Sequence, residues 1–324
     1  MIRTSLALAL VSIACQPAAA PVPSNQVVAP AVPAATADVL GFLPLASDIV
    51  LRFDVKALRG SPLWAEYQPK LVAAIGPELA GIKQKCGFDP LEAVESVTAG
   101  LTNTSKGGPP DGVFVVRGLD RDRTIACLEA QILPDTTVTN DHGVLSLAHE
   151  RGSLNLMTFV DPSTLVLMGS THSTREGLEA VLHGGAPLRN SPAFLETYGK
   201  LEPDATVWLA FNGNAAVLDK FAAMGGRPRG VYGTIRIAAG IAVRFHLRME
   251  TADQAAQIAA TFSSQMQAAR SMFDQLAATS EGDVVAITVD LSAAKLRSLV
   301  GMMAPMLNAP GASPPSGGSA PPSP

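Results

Sequence analysis

Ten consecutive residues, 241–250, alternate between apolar and polar or small side chains, and this alternation limits the fold more than any other feature. The apolar members are Ile241, Val243, Phe245, Leu247 and Met249. Side chains on a β-strand point alternately to opposite faces of the sheet, so one face is buried here and the other meets water. The stretch therefore predicts an antiparallel sheet that is covered on one side only.

The residues before this strand predict its pairing partner. Residues 233–237 alternate in the same manner, with isoleucines on either side of an arginine. A short connection with two alanines follows, and Gly240 supplies a residue that tolerates positive φ. A connection of this length between two alternating stretches is typical of a β-hairpin, which is therefore predicted over 233–250.

The residues after the strand predict a helix and a further strand. Thr251 and Gln254 fit a capping box, in which each side chain satisfies a free amide of the first helical turn. Apolar residues then recur every three or four positions as far as Leu276, the pattern of a helix that lies on a core. This helix is predicted to end by Gly282, and residues 285–291 alternate again as a strand.

Similar elements are predicted in the first half of the chain. Residues 49–54 alternate as a strand, and Ser61 followed by proline is a favourable helix start. The glycine and proline at 76–77 predict a break in that helix. Three short strands with intervening turns are predicted over 144–168, and Ser173 is predicted to cap the next helix.

Two pairs of similar stretches suggest that the chain contains an internal repeat. Residues 188–194 (LRNSPAF) repeat residues 58–64 (LRGSPLW), and 113–132 match 243–262 in character at the same offset. Self-similarity at a constant spacing indicates two copies of one unit.

The predicted fold class is α+β, with two tandem related units, antiparallel sheets and helices packed on one face. The units are assigned to residues 38–160 and 161–308; coincidence in an Ala/Leu-rich chain is the alternative.

Residues 163–212 resemble a broad family of uncharacterised exported bacterial proteins. The resemblance is carried by a Val/Leu strand that leads to a helix, a Ser-containing helix start, and the sequence LEPDA at 201–205 before the next strand. Residues 43–48 match the last element more weakly. The resemblance implies export and a duplicated α+β fold, often in lipoproteins, and it implies no functional residues.

The first residues have the character of a targeting segment. An arginine precedes a short apolar run that ends at Cys15, so 1–15 is predicted to be a signal peptide and Cys15 a lipidated residue. Cleavage at Ala20 by ordinary signal peptidase is the alternative. Residues 16–37 predict a Pro/Ala-rich linker, and 309–324 a disordered Pro/Gly/Ser tail. Either cleavage exports the protein: lipidation anchors it to a membrane of the cell envelope, and the alternative is a soluble periplasmic or secreted protein.

Two further cysteines, Cys86 and Cys127, form an even set in a chain predicted to enter an oxidising compartment. They predict either a disulfide or two separate small core residues. Neither has a second cysteine or a histidine at ligand spacing, so no metal site is expected.

One basic strip lies on the polar side of the predicted hairpin. Arg236, Arg244, His246 and Arg248 would share one face, where they could contact an anion or an anionic lipid; the alternative is a solvated face. The formal net charge of −4 and pI near 5.7 argue against nucleic acid as a partner. Aromatic residues make up only 5% of the chain, which argues against an aromatic platform for bases or sugars.

Catalytic motifs are missing from the sequence. The five histidines form no i, i+4 pair and no metal-binding pattern, and the chain has no G-x-S-x-G or phosphate-binding motif. Ser170 and His172 lie in one loop, where hydroxyls usually cap turns. We therefore expect no cofactor and no enzymatic activity, but an envelope protein that binds a partner or supports an assembly. The alternative is a periplasmic carrier of a small ligand or lipid, with a cleft between the two units.

Overall fold

The structure, a computed structural model, describes residues 39–104, 111–130, 136–149, 154–170, 173–213 and 215–307. The predicted signal peptide, linker and tail lie outside the described residues, as does Cys15. The described residues form one antiparallel sheet of twelve strands. The strands are β1 (Ile49–Asp54), β2 (Ser96–Thr102), β3 (Asp111–Arg117), β4 (Thr136–Asp141), β5 (Val144–His149), β6 (Leu154–Phe159), β7 (Thr164–Ser170), β8 (Val207–Asn212), β9 (Gly230–Ile237), β10 (Gly240–Arg248), β11 (Gln275–Glu281) and β12 (Val284–Ser292).

Helices connect the strands on both sides of the sheet. The α-helices are α1 (Val55–Arg59), α2 (Pro62–Cys86), α3 (Pro90–Ala93), α4 (Arg121–Glu129), α5 (Arg175–Leu182), α6 (Pro192–Tyr198), α7 (Ala252–Met266) and α8 (Ala293–Leu307). Three 3₁₀ segments are η1 (Leu188–Asn190), η2 (Ala216–Met224) and η3 (Gln267–Met272). Among the described residues, no helix combines the length and apolar character needed to cross a membrane.

The strand order runs outward from a central pair. It is β11-β12-β10-β9-β8-β1-β2-β3-β7-β6-β5-β4, so β1 and β8 lie side by side at the centre. From β1 the order continues with β2 and β3, and from β8 it continues with β9 and β10. Beyond these, β4 and β11 lie at the two outer edges, and the strands that follow them along the chain lie successively closer to the centre. The predicted boundary between 160 and 161 falls between β6 and β7, which are paired with each other.

The two faces of the sheet are distinguished by neighbouring residues of β8. Trp208 lies on one face with α5, η1 and α6, whose Leu178, Leu188 and Tyr198 belong to the same core cluster. Leu209 points to the other face, where α7 and η2 pack at one end and α4 packs at the other. The expectation of helices on one face is therefore wrong. Strands such as β8 (VWLAFN) carry apolar residues in both directions, so both faces need cover.

The 241–250 alternation is confirmed as a strand of the predicted hairpin. β10 pairs along its length with β9 and β12, and Thr251 caps α7 by accepting the Gln254 N–H at 3.2 Å. The predicted helix is too long, because α7 ends at Met266 and residues 275–281 form β11. The apolar residues there also fit a period of two, and seven backbone pairings with β12 decide in favour of a strand.

Three further expectations need correction. The backbone of α2 is helical across the glycine and proline at 76–77, between a Ser61 cap and the terminal Cys86. Thr174, rather than Ser173, caps α5, because the Ser173 hydroxyl is directed to the Met168 carbonyl oxygen at 3.5 Å. Strand β4 and helix α8 were not predicted.

Candidate functional site

A continuous apolar surface covers the middle of the Leu209 face. Its side chains form two ladders across neighbouring strands, because the strand registers place them opposite one another. The members that remain partly exposed, which we call the apolar floor, are Leu51, Phe53, Val207, Leu209, Ile235, Val243, Phe245, Ile287 and Val289. A polar side chain does not interrupt either ladder between β12 and β1.

Residues of β1 and β8 on the opposite face are closely covered. On β1, Val50 is 2% exposed, whereas Leu51 and Phe53 on either side of Arg52 remain partly exposed. On β8, Trp208 is 1% exposed, and Tyr198 meets it edge-on with ring centroids 5.3 Å apart. The contrast lies within single strands, so it reflects what covers each face. At β8, the Trp208 face is therefore covered more closely than the apolar floor.

Helix α2 links the β9–β10 turn to α4. At its first turn, the Leu63 N–H donates to the Ala238 carbonyl oxygen in the β9–β10 turn at 3.4 Å. At its last residue, Cys86 forms a disulfide with Cys127 of α4, which packs over the β4–β7 end of the same face. A 25-residue helix is about 37 Å long, and the strands from β9 to β7 span about 24 Å. The helix is therefore longer than the width of these central strands, and it is fixed at both ends.

Polar and covalent bonds hold the two ends of α2. The Arg297 guanidinium of α8 binds the Glu66 carboxylate through two hydrogen bonds of 2.7 and 2.8 Å. This contact lowers the pKa of Glu66, chiefly through the hydrogen bond from Arg297. At the other end, Lys83 lies 3.6 Å from Asp89 beside the disulfide. These bonds fix the position of both ends of α2.

The centre of the apolar floor is shaped by a glycine. Gly233 stands between Leu209 and Phe245 in the register, and a Cβ atom there would lie 2.2 Å from the Phe245 ring. It would also lie 2.5 Å from the Arg244 carbonyl oxygen, which cannot move aside without breaking the sheet. The absence of a side chain at Gly233 therefore leaves room for the Phe245 ring at this point of the apolar floor.

Tyr67 of α2 carries a buried polar atom. It lies one helical turn after the buried Leu63, on the same face of α2. Its hydroxyl is buried and has no hydrogen-bond partner among the described residues. Lys70 places its ammonium 5.4 Å from the Tyr67 ring centroid, and Tyr67 is close enough to raise the pKa of Arg297 electrostatically.

The predicted basic strip lies on the other face and is matched by carboxylates. Arg236 binds Glu202 and Asp204 at 2.7 and 3.0 Å. The remaining pairs join Arg244 to Asp290 at 2.7 Å, and Arg248 to Glu196 and Asp283 at 3.3 and 3.6 Å. The strip does share one face, as the alternation predicted, but each arginine already has an anionic partner. This pairing does not support a contact with an anion.

His246 is held as a neutral side chain within the strip. Its ring stacks on Tyr232 with centroids 4.8 Å apart and planes inclined by 11°. Burial lowers the pKa of His246 below its ordinary value, so the ring is uncharged near neutral pH. A neutral imidazole adds no positive charge to the strip.

The described residues supply no converging catalytic or metal-binding group. No cluster of three or more His, Cys, Asp or Glu side chains suited to a metal ion occurs among them. His172 lies outside the described residues, so its relation to Ser170 is not described. The two predicted cysteines, by contrast, are joined across α2 and α4.

Sequence reasoning missed the apolar floor although its signal is present. The stretches IVLRF at 49–53 and VWLAF at 207–211 are apolar in both directions, unlike 241–250. Such runs indicate strands that are covered on both faces. The incomplete cover depends on where α2 and α8 lie, which the runs do not encode.

The described residues define a class: an α+β protein with one antiparallel sheet of twelve strands, helices on both of its faces, and a partly exposed apolar surface in the middle of one face. No protein-family model and no curated protein sequence matches the chain. The chain is similar to crystal structures of TP0453, with 16% identity and a TM-score of 0.48 over 81% of this chain and 97% of that chain for crystal form III. For crystal form I the identity is 16% and the TM-score 0.45, over 82% and 96% of the two chains.

Proposed function

We propose that the protein is a non-enzymatic component of the cell envelope that carries an acyl chain between α2 and the apolar floor. The observation that supports this most is the contrast on β8, where Trp208 and Ala210 are 1% and 3% exposed on one face while Val207 and Leu209 remain partly exposed on the other. Ligand sites are concave, mostly apolar and equipped with few polar groups. A floor of aliphatic and phenyl side chains suits a hydrocarbon chain better than a polar metabolite.

Binding of a neutral apolar probe tests this proposal. N-phenyl-1-naphthylamine gains fluorescence in apolar surroundings, and palmitate should displace it from the floor. Leu209→Trp adds bulk at the centre of the floor and is expected to weaken both ligands by about tenfold or more, equivalent to about 1.4 kcal/mol. Thr279→Trp, which adds the same side chain on exposed β11, is the matched control and should bind as the wild type does.

Two results would refute the carrier. One is a wild-type protein that binds neither the probe nor palmitate. The other is equal binding by Leu209→Trp and Thr279→Trp, because the ligand would then sit elsewhere. Both variants should first show wild-type circular dichroism, which confirms that they are folded.

Binding of a protein partner is a second candidate function, supported by a groove on the other side of the molecule. A cavity of about 440 Å³ lies between residues 41–46 and 180–187, with an almost wholly apolar lining. Leu45 at its rim is 41% exposed. An extended apolar segment of an envelope protein would fit it. A photo-crosslinker at Leu45 should then give a discrete adduct in cells that the same group at exposed Met302 does not give.

We further propose that the chain is built from two related units that meet at β1 and β8. The support is the strand order, in which each side runs from its first strand through the next two and then back from the outer edge. In this arrangement the first unit would extend through β7 to Ser170, ten residues beyond the boundary read from the sequence. Separate expression of 173–307 as a folded domain would support it, and an insoluble, unstructured product would count against it.

Membrane attachment through Cys15 completes the proposal. A lipid anchor adds roughly 0.8 kcal/mol of membrane affinity for each buried CH₂, so several acyl chains hold firmly. Cys15→Ala should move the protein from the membrane to the soluble fraction and abolish labelling by a palmitate analogue. Unchanged fractionation without labelling of the wild type would exclude the anchor and favour cleavage at Ala20.

A further inference from the structure

A second cavity lies on the Trp208 face of the sheet, opposite the apolar floor. It has a volume of about 230 Å³ and lies between α6, the end of β8, the start of β9 and the end of β10. Among its lining residues, Gly230 stands between Asn212 and Arg248 in the strand register. A Cβ atom at Gly230 would meet one atom within 4 Å, the Phe211 carbonyl oxygen at 3.6 Å, so the space above this glycine is open.

Three basic side chains line this cavity, and no acidic residue is among the described residues of its lining. Lys200 and Arg248 share one carboxylate oxygen of Glu196, which lies 3.3 Å from a nitrogen of each. Arg229 lies 3.9 Å from Glu250, beyond the length of a hydrogen bond. The cations therefore border the cavity, while the carboxylates that approach them lie outside its lining.

The charges of this cavity are less closely matched than those of the basic strip. Arg236 and Arg244 each have a carboxylate oxygen at 2.7 Å, within the usual range for a hydrogen bond between two charged groups. Arg248, the one residue common to the strip and the cavity, has its carboxylate contacts at 3.3 Å and, to Asp283, at 3.6 Å. Longer ion pairs leave N–H groups of the three cavity cations available to another acceptor.

The cavity also has an aromatic surface. Phe194 of α6 packs against the core cluster that contains Ala210 and Tyr232, and all three residues line the cavity. The Lys200 ammonium lies 6.0 Å from the centroid of the Tyr232 ring. Burial raises the pKa of Tyr232, so its hydroxyl stays protonated and can donate a hydrogen bond. Positive charge and aromatic carbon thus meet in one cavity.

We propose that this cavity binds a small organic anion, a carboxylate attached to a compact apolar group. Lys200, Arg229 and Arg248 bind the carboxylate, and the apolar group lies against Phe194 and Tyr232. The volume of about 230 Å³ is below the roughly 300–1,000 Å³ of most ligand sites, so the ligand is smaller than a long acyl chain. The site lies on the face opposite the proposed carrier site and does not depend on it.

Isothermal titration calorimetry at low salt tests this proposal, because salt screens charge interactions. The wild type should bind at least one of benzoate, phenylacetate and hexanoate about tenfold more tightly than the matching neutral amide. Arg229→Gln should weaken that carboxylate by about tenfold, the loss expected for one hydrogen bond between charged groups. Arg270→Gln removes the same charge from exposed η3, so it is the matched control and should bind as the wild type does.

Filling the cavity gives a second test. Gly230→Val places a side chain in the open space of a strand, where β-branched residues are favourable. It should weaken the carboxylate by about tenfold or more. Circular dichroism and urea unfolding should first show that each variant is folded. In the wild type, the carboxylate should shift the NMR amide signals of Gly230 and Asn212 but not that of Gly282 in the β11–β12 turn.

Three results would overturn this inference. The first is a wild type that binds none of the three carboxylates at millimolar concentration, or binds their amides equally well. The second is unchanged binding by either Arg229→Gln or Gly230→Val. The third is carboxylate binding that leaves the amide signals of Gly230 and Asn212 in place. Each result would leave the acyl carrier standing, because its probe and palmitate bind on the other face.

Discussion

Truncating one leucine in each part of the Leu209 face measures whether the apolar floor is closely packed. Leu247 and Leu51 point to the same face, but Leu247 is 2% exposed beneath α7, whereas Leu51 is partly exposed. A Leu→Ala change in a packed core costs 2–5 kcal/mol, which combines lost transfer free energy with the cavity left behind. We therefore expect Leu247→Ala to cost about 3 kcal/mol. Leu51→Ala should cost about 1–2 kcal/mol, because its side chain is incompletely buried and leaves little new cavity.

Urea unfolding, followed by circular dichroism with the disulfide intact, provides the comparison. The difference between the two free energies of unfolding should be at least about 1 kcal/mol, with similar m-values for the two variants. The chemistry of the two substitutions is identical, so intrinsic differences between residue types cancel. Equal losses would refute the reasoning, because Leu51 would then lie in an ordinary core with no room for an acyl chain beside it.

Three further predictions concern the bonds that fix the two faces. Replacing Cys86 and Cys127 by serine should lower the free energy of unfolding by about 4 kcal/mol, the loop-entropy value for a closed loop of 41 residues, as measured in urea against the oxidised wild type. The lowered pKa of Glu66 gives stability that is present above its ordinary value of 4.5 and is lost as the pH falls through the folded pKa. In Glu66→Gln, the urea midpoint should therefore change less with pH over that acid range than in the wild type. The same pH dependence in both proteins would contradict the ion pair with Arg297. The lowered pKa of His246 means that the free energy of unfolding falls as the pH drops from the ordinary value of 6.5 towards the folded pKa. His246→Gln should remove this pH dependence. An NMR titration of the wild type should place the imidazole pKa below 6.5.

Local patterns in the sequence predicted most of the strands and most helix starts. The 241–250 alternation defined β10 and its partner, and the Ser-Pro starts at 61 and 191 both became caps that accept an amide of the first turn. These features depend on hydrogen bonds and burial within a few residues, which is why the sequence carries them directly. The end of α7 does not, because residues 275–281 satisfy both periods and only pairing with β12 selects a strand.

The candidate site could be predicted only in part. The runs at 49–53 and 207–211 reveal strands with two apolar sides, and the cysteine count raised the link between α2 and α4 as one of two alternatives. The basic strip was the surface singled out from the sequence, yet its charges are matched by Glu196, Glu202 and other carboxylates that lie far away along the chain. Long-range pairing of this kind leaves no local signal, so an exposed-looking strip proved to be an ion-pair network.

Helix α2 is fixed to the rest of the protein in a different way from α7. A helix that relies on hydrophobic contacts must bury its apolar stripe closely, as α7 does with Ile258 and Ala259. Helix α2 is held instead by a disulfide at one end and a two-bonded ion pair with α8 at the other. In the proposed carrier, these bonds would hold α2 in place while a ligand lies between the helix and the apolar floor. The same proposal predicts that loosening either end of α2 should change ligand affinity more than loosening α7, since α2 would form a roof of the proposed site.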